Sequence, residues 1–155
     1  MVRFIDACGT IGKTMAVRLL PGSDLIEGIE AACEKNSVKY AYVSCFGSFQ
    51  HSGYMYLVPQ PDAKVGAGYG NVITQEGPIE FLNGVGVVCQ NDGGYDTHFH
   101  ATMCGKDGSV FGGHIVRGQT AALTTVDMVI FEIKGVEMLR SFDEETGLTQ
   151  FLPQK

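Results

Sequence analysis

The chain has 155 residues, 45% of them hydrophobic and 18% charged, with a formal net charge of −6. That length fits one ordinary domain, and the composition is that of a folded globular protein rather than a disordered one. Eleven lysines and arginines against seventeen acids, with no basic run, argue against strong nucleic-acid binding by this chain alone.

In chain order, "TMAVRLLPG" reads as a strand stopped by Pro21-Gly22. "SDLIEGIEAACEKNS" reads as a helix: Asp24 and Glu27 have capping-box spacing, and Leu25, Ile29, Ala32 and Cys33 share one apolar face. "VKYAYVSCFGSF" and "SGYMYLVP" read as two strands, with His51 exposed in a turn between them. "PDAKVGAGYGN" reads as a loop, and "NVITQ" and "IEFLNGVGVVCQ" as strands around a Gly77-Pro78 turn. After the turn residues of "NDGGYD" come "THFHATMC" and "SVFGGHIVRG", separated by "GKDG". "TVDMVIFEI" and "VEMLRSF" are further strands, and "DEETGLTQFLPQK" a short polar tail. One α+β domain over 1–155 is expected, a largely antiparallel twisted sheet or partly closed barrel with one main helix packed on it.

No stretch reaches the ~18 apolar residues of a membrane span, and "MVRFIDACGTIG" lacks the apolar run of a signal peptide. A cytoplasmic location and no membrane partner are therefore expected. The five cysteines contain no C-x-x-C and sit mostly among apolar residues, as buried reduced thiols do. Cys104 is the one nearest the histidines in sequence.

Three of the four histidines, His98, His100 and His114, fall within 17 residues of chain. Residues two apart on a strand face the same side, so His98 and His100 share a face. A three-residue loop, Lys106-Asp107-Gly108, sets His100 directly opposite His114, within the ~5 Å Cβ spacing of cross-strand pairs. A two-residue Asp-Gly loop turns His114 to the other face, unless Gly112-Gly113 forms a bulge. Both loops remain compatible with the sequence. Convergent imidazoles favour Zn, Ni, Cu or Fe over Mg or Ca, and three protein donors leave a coordination position open. A divalent transition metal, zinc foremost, is the expected cofactor.

"RLLPGSDLIEGIEAACEKNSVKYAYVSCFGSF", "GPIEFLNGVGVV" and "THFHATMCGKDGSVFGGHIVRG" together resemble the PPC domain (plants and prokaryotes conserved) over about Met15 to Lys134. The resemblance rests on Arg-x-x-Pro-Gly-x-Asp before the helix, Gly47-Ser48, Glu80, and "DGSVFGGH". It implies an α+β fold assembled as a homotrimer, with metal held at His98, His100 and His114. The family fold is similar to that of acetolactate decarboxylase, a zinc enzyme with a comparable His-x-His…His arrangement. In plants the domain accompanies basic AT-hooks, which this chain lacks, so the resemblance does not carry over the DNA contact.

Glu80, an acid among apolar neighbours, is a candidate general acid–base residue. Arg18 and Arg117 are candidates for binding a small anionic ligand. Three functions follow: a trimeric metal-binding module with a small-ligand or regulatory role, a metal-dependent lyase or hydrolase, and a DNA-binding regulator, as the family label would have it.

Overall fold

The computed structural model of the chain describes residues 1–155. Nine strands and one helix follow in order: β1 (Thr10–Leu19), α1 (Leu25–Lys35), β2 (Ala41–Met55), β3 (Leu57–Pro59), β4 (Ala67–Tyr69), β5 (Ile73–Asn91), β6 (Gly94–Cys104), β7 (Val110–Lys134), β8 (Glu137–Asp143) and β9 (Leu148–Gln154). The helix begins where the capping signal places it: Asp24 accepts a hydrogen bond from the Glu27 amide at 3.1 Å. At the other end the Asn36 side chain donates to the Ala32 carbonyl at 2.8 Å.

Seven strands form one sheet, in the order β1-β7-β2-β5-β8-β9, with β6 pairing both β5 and β7. β2, β5, β6 and β7 therefore pair in a cycle, and the sheet curls toward a ring without becoming a closed barrel. The long strand β7 makes this possible, since its first residues pair with β6 and the rest with β2 and β1. β3 and β4 form a separate small hairpin.

The strands are longer than the sequence punctuation indicates. "VKYAYVSCFGSF" and "SGYM" are one strand, so His51 lies inside β2, half-buried and paired with Glu76 and Ala121 rather than exposed in a turn. Gly77-Pro78, read as a turn, lies inside β5 with a cis peptide bond. A Cβ at Gly77 would run into the Gln50 and Phe49 carbonyls, so glycine there marks a close approach of strands rather than a reversal. "SVFGGHIVRG" and "TVDMVIFEI" likewise join as β7. The polar tail is not a tail: Leu148–Gln154 pairs antiparallel with β8 as β9. "PDAKVGAGYGN" contains the short β4.

The core lies between α1 and the concave side of the sheet. Leu25, Ile29, Phe49, Phe81, Phe99 and Ile130 are all essentially fully buried in it. Phe49 stacks on Phe81 at 4.6 Å, and Phe81 meets Phe99 edge-on at 6.3 Å. Burying side chains of this size contributes ~1.5–3 kcal/mol each. Alternation then sends the intervening residues outward. The outward face carries the exposed apolar side chains Phe46, Leu82, Val85 and Val129. At one end of that face, Cys89, Val136 and Met138 form a small second cluster. No helix is long and apolar enough to cross a membrane.

Candidate metal centre

His98 and His100 project from β6 on the side opposite Phe99 and Ala101, which are buried in the core. Across the hairpin, His100 pairs with His114. The loop is the three-residue one: the Gly105 amide donates to the Ser109 carbonyl at 2.9 Å, and Gly108 has φ +81°. Asp107 tightens it, with Oδ1 accepting from the Ser109 amide at 3.0 Å. No bulge occurs at Gly112-Gly113, since the pairing runs unbroken from His100–His114 to Cys104–Val110. These glycines serve close packing instead. A Cβ on Gly112 would collide with the Ala101 carbonyl, and one on Gly113 with the Met55 carbonyl of β2. His114 is thus the residue at which β7 passes from β6 to β2, pairing with His100 on one edge and Met55 on the other.

The three rings converge. Their centroids lie 4.9 Å (His98–His100), 5.2 Å (His98–His114) and 5.6 Å (His100–His114) apart. One nitrogen from each lies within 4.8 Å of the others, and His98 Nε2 stands 3.1 Å from His100 Nε2. Donors 2.0–2.1 Å from a tetrahedral ion are themselves about 3.3 Å apart, so this spacing fits a three-imidazole site. His114 Nδ1 is buried without a hydrogen-bond partner. The Tyr69 ring, on the β3–β4 hairpin, packs 5.3 Å from the His114 ring.

Electrostatics keep these imidazoles in the neutral form that a metal requires. Burial, then the Arg140 charge and the neighbouring histidines, push His98 down to about 4. Burial, His100 and Arg140 push His114 down to about 4, with Asp96 acting in the opposite direction. Burial and Arg140 also lower His100. Free imidazoles this close repel when protonated, and a cationic guanidinium beside them adds to that repulsion.

Arg140, on β8, has no local sequence signal and is missed by sequence reading. Its side chain is only 8% exposed, and Nε and Nη1 make no hydrogen bond. The Asp96 carboxylate lies 3.9 Å from Nε. Asp96 was findable, since it stands two residues before His98 and alternation places both on one face of β6.

The other predicted residues stand apart from the trio. Arg117 pairs with Glu30, whose carboxylate is buried in the helix, and more loosely with Glu27 at 3.7 Å. Glu30 also accepts from Thr97 at 3.0 Å, and burial raises its carboxyl above the usual range. Arg18 is exposed and donates to Thr125 at 3.1 Å, on the rim of an outward groove that Phe46 and Leu82 also line. Glu80 is exposed and pairs with Cys104 and Ser48. It shares the histidines' face but lies about 13 Å along the strand from His100. Cys33, Cys45 and Cys89 are buried, with thiols pushed up by burial to about 11, 12 and 12. Cys104 is half-buried, and Cys8 is exposed. A groove of about 360 Å³ opens beside His100, with Asn83, Val85, Thr102 and Phe111 among its walls.

Several solved structures share this architecture. A metal-containing protein from Archaeoglobus fulgidus is 28% identical with a TM-score of 0.80, the match covering 97% of this chain and 99% of that one. A plant- and prokaryote-conserved protein from Pyrococcus horikoshii is 24% identical with a TM-score of 0.81, covering 98% and 99%. A protein from Bacteroides thetaiotaomicron, named as a candidate DNA-binding protein, is 16% identical with a TM-score of 0.74, covering 92% and 96%. Acetolactate decarboxylase from Bacillus subtilis is a distant likeness, 15% identical with a TM-score of 0.47, covering 81% of this chain and 54% of that one. Among curated proteins none matches this chain. The family model for the Plants and Prokaryotes Conserved domain (PCC, also written PPC) matches residues 6–134, and the chain belongs to that family.

Proposed function

We propose that the chain is a metal-binding module in which His98, His100 and His114 hold one divalent transition-metal ion, zinc foremost, and that it serves a small-ligand or regulatory role as a homotrimer. The observation that carries this reading is the convergence of three imidazole nitrogens within 4.8 Å of one another. It is supported by their suppressed basicity and by the metal-containing relative. The bound ion would supply Lewis acidity and an open coordination position. The chain's own residues keep the donors neutral and partly shielded from solvent. Metal analysis of purified protein, with anomalous scattering from crystals, tests this reading. A metal-free protein that fails to take up zinc, cobalt or nickel would sink it.

Assembly is supported by the outward apolar face. Phe46 is 59% exposed and Leu82 48%, with Val129 beside them on the same groove. Contiguous apolar surface of this kind is ordinarily covered by a partner. Solution mass is the test, the expected value being three times the 16.7 kDa of one chain.

A second reading, a metal-dependent lyase or hydrolase, is favoured by the open position of a three-donor site. Glu80 is its weak point, standing well along the strand from the histidines. For DNA binding, the net charge of −6 opposes the reading that the name of one relative invites.

A further inference from the structure

Arg140 is an unusual residue to find beside a histidine cluster. Beyond β7 the chain turns back to continue the sheet beside β5, which β8 joins through a single parallel bridge, Gln90 to Leu139. Met138 enters the small apolar cluster with Cys89 and Val136. Arg140, two residues on, points the same way and is buried with it. A buried guanidinium with unpaired N–H groups is costly, and native structures rarely tolerate one. Its neighbouring acid does not satisfy it. Asp96 Oδ1 lies at 3.9 Å from Nε, beyond hydrogen-bond reach, and Asp96 Oδ2 is engaged by the Asn91 amide at 3.1 Å. Asp96 and His98 are alternate residues on one face of β6, about 7 Å apart. Through Asp96, 3.9 Å from its Nε, the Arg140 guanidinium sits beside the imidazoles, near enough for its charge to act on all three.

We propose that Arg140 anchors a small oxyanion, a carboxylate or inorganic phosphate, that also reaches the histidine-held ion. The inference rests on the metal reading above and goes beyond it by assigning the anion-binding residue. Arg117 is committed to Glu27 and Glu30, and Arg18 lies on the separate outward groove. A guanidinium presents a planar fork that matches two oxygens of such a group. With two oxygens on the fork, a further lone pair of a carboxylate oxygen, or a further oxygen of a phosphate, remains for the open coordination position.

The test uses the full chain loaded with cobalt(II), whose visible spectrum reports its coordination, titrated separately with pyruvate and with inorganic phosphate. The wild type is expected to show a saturable spectral change with at least one of them. A response to pyruvate alone identifies a carboxylate site, and one to phosphate alone a phosphate site. Arg140→Gln is expected to retain cobalt and to bind the responding anion ~30-fold more weakly. Arg140→Lys, which keeps the charge but loses the fork, is expected to bind it ~10-fold more weakly, and decides the matter if the glutamine variant does not fold. Asp96→Asn, which removes the competing carboxylate, is expected to tighten binding. Full cobalt loading with no spectral response to either anion, or with unchanged affinity in the Arg140 variants, overturns the inference and leaves the metal reading intact. Failure to take up cobalt overturns both.

Discussion

His100 and His114 are direct cross-strand partners, their ring centroids 5.6 Å apart, and the three-residue loop between β6 and β7 fixes that relationship. One residue fewer in the loop would change the pairing and send His114 to the other face of the sheet. Because His114 also pairs with Met55, the same residue closes the cycle of strands and completes the histidine cluster. Site geometry and sheet curvature therefore meet at one residue, and a change that relaxes the ring there is expected to disturb the imidazoles as well.

The first prediction concerns the donors. Replacing His98, His100 or His114 singly with alanine is expected to lower metal affinity by more than ~100-fold, since even outer partners of metal ligands are worth 10–100-fold. Competition with a chromogenic chelator measures this, and far-UV circular dichroism should show the fold retained, because all three side chains lie outside the core cluster.

Metal retention should extend to acid. A group whose folded value is depressed keeps its neutral form as the pH falls below the ordinary value, here from 6.5 toward the value of about 4 held by His98 and His114. Protons compete with the ion only below that window. Dialysis at pH 5.5 is expected to leave the metal in place, where three unperturbed imidazoles would be largely protonated. Release with a midpoint above pH 6 would show that these imidazoles titrate normally.

The two glycines before His114 offer a test of the backbone. Gly112→Ala places a methyl group against the Ala101 carbonyl, and Gly113→Ala places one against the Met55 carbonyl at a φ of +155°. Each is expected to cost ~1–3 kcal/mol in chemical denaturation and to weaken metal binding as well. Loss of stability without loss of metal affinity would show that ring curvature and the site are not coupled.

Arg117→Ala should behave as a structural variant. It leaves the buried Glu30 carboxylate with Thr97 as its remaining partner, at an expected cost of ~2 kcal/mol, reduced by the solvent exposure of Arg117 itself. Metal and anion affinities are expected to stay unchanged, as read by calorimetry.

The outward face gives a fifth expectation. Phe46→Glu or Val129→Glu places a charge on the exposed apolar surface and is expected to convert the proposed trimer to monomers in analytical ultracentrifugation, with little change in the fold of each chain.

Much of this was legible in the sequence wherever a local rule operates. The Asp24 cap, the stop at Pro21-Gly22 and the shared face of His98 and His100 follow from residue chemistry over a few positions. The hairpin was half legible: both loop lengths suited "GKDG", and the closing hydrogen bond at Gly105–Ser109 decides between them. Strand lengths were misread because glycine and proline act in two ways. Gly77-Pro78 looks like a turn, yet the backbone of β2 lies so close that a Cβ cannot fit there. Leu148–Gln154 looks like a polar tail because a strand in a two-stranded extension, half-exposed along its length, needs no strong apolar alternation. Arg140 was invisible for a different reason. Its significance comes from a distant strand, β6, and from what fails to bond to it.

The β8–β9 extension also separates two roles along the chain. The matched family segment ends at residue 134, before β8 begins, and it contains every imidazole of the cluster. Arg140 lies beyond it, on a hairpin tied to the main sheet through one bridge and a small apolar contact. On the proposed reading, the capacity to hold an ion and the choice of what approaches it are written in separate stretches of sequence. The hairpin from Glu137 to Gln154, grafted from one relative to another, would then be a unit by which ligand preference is exchanged while the metal-holding frame stays intact.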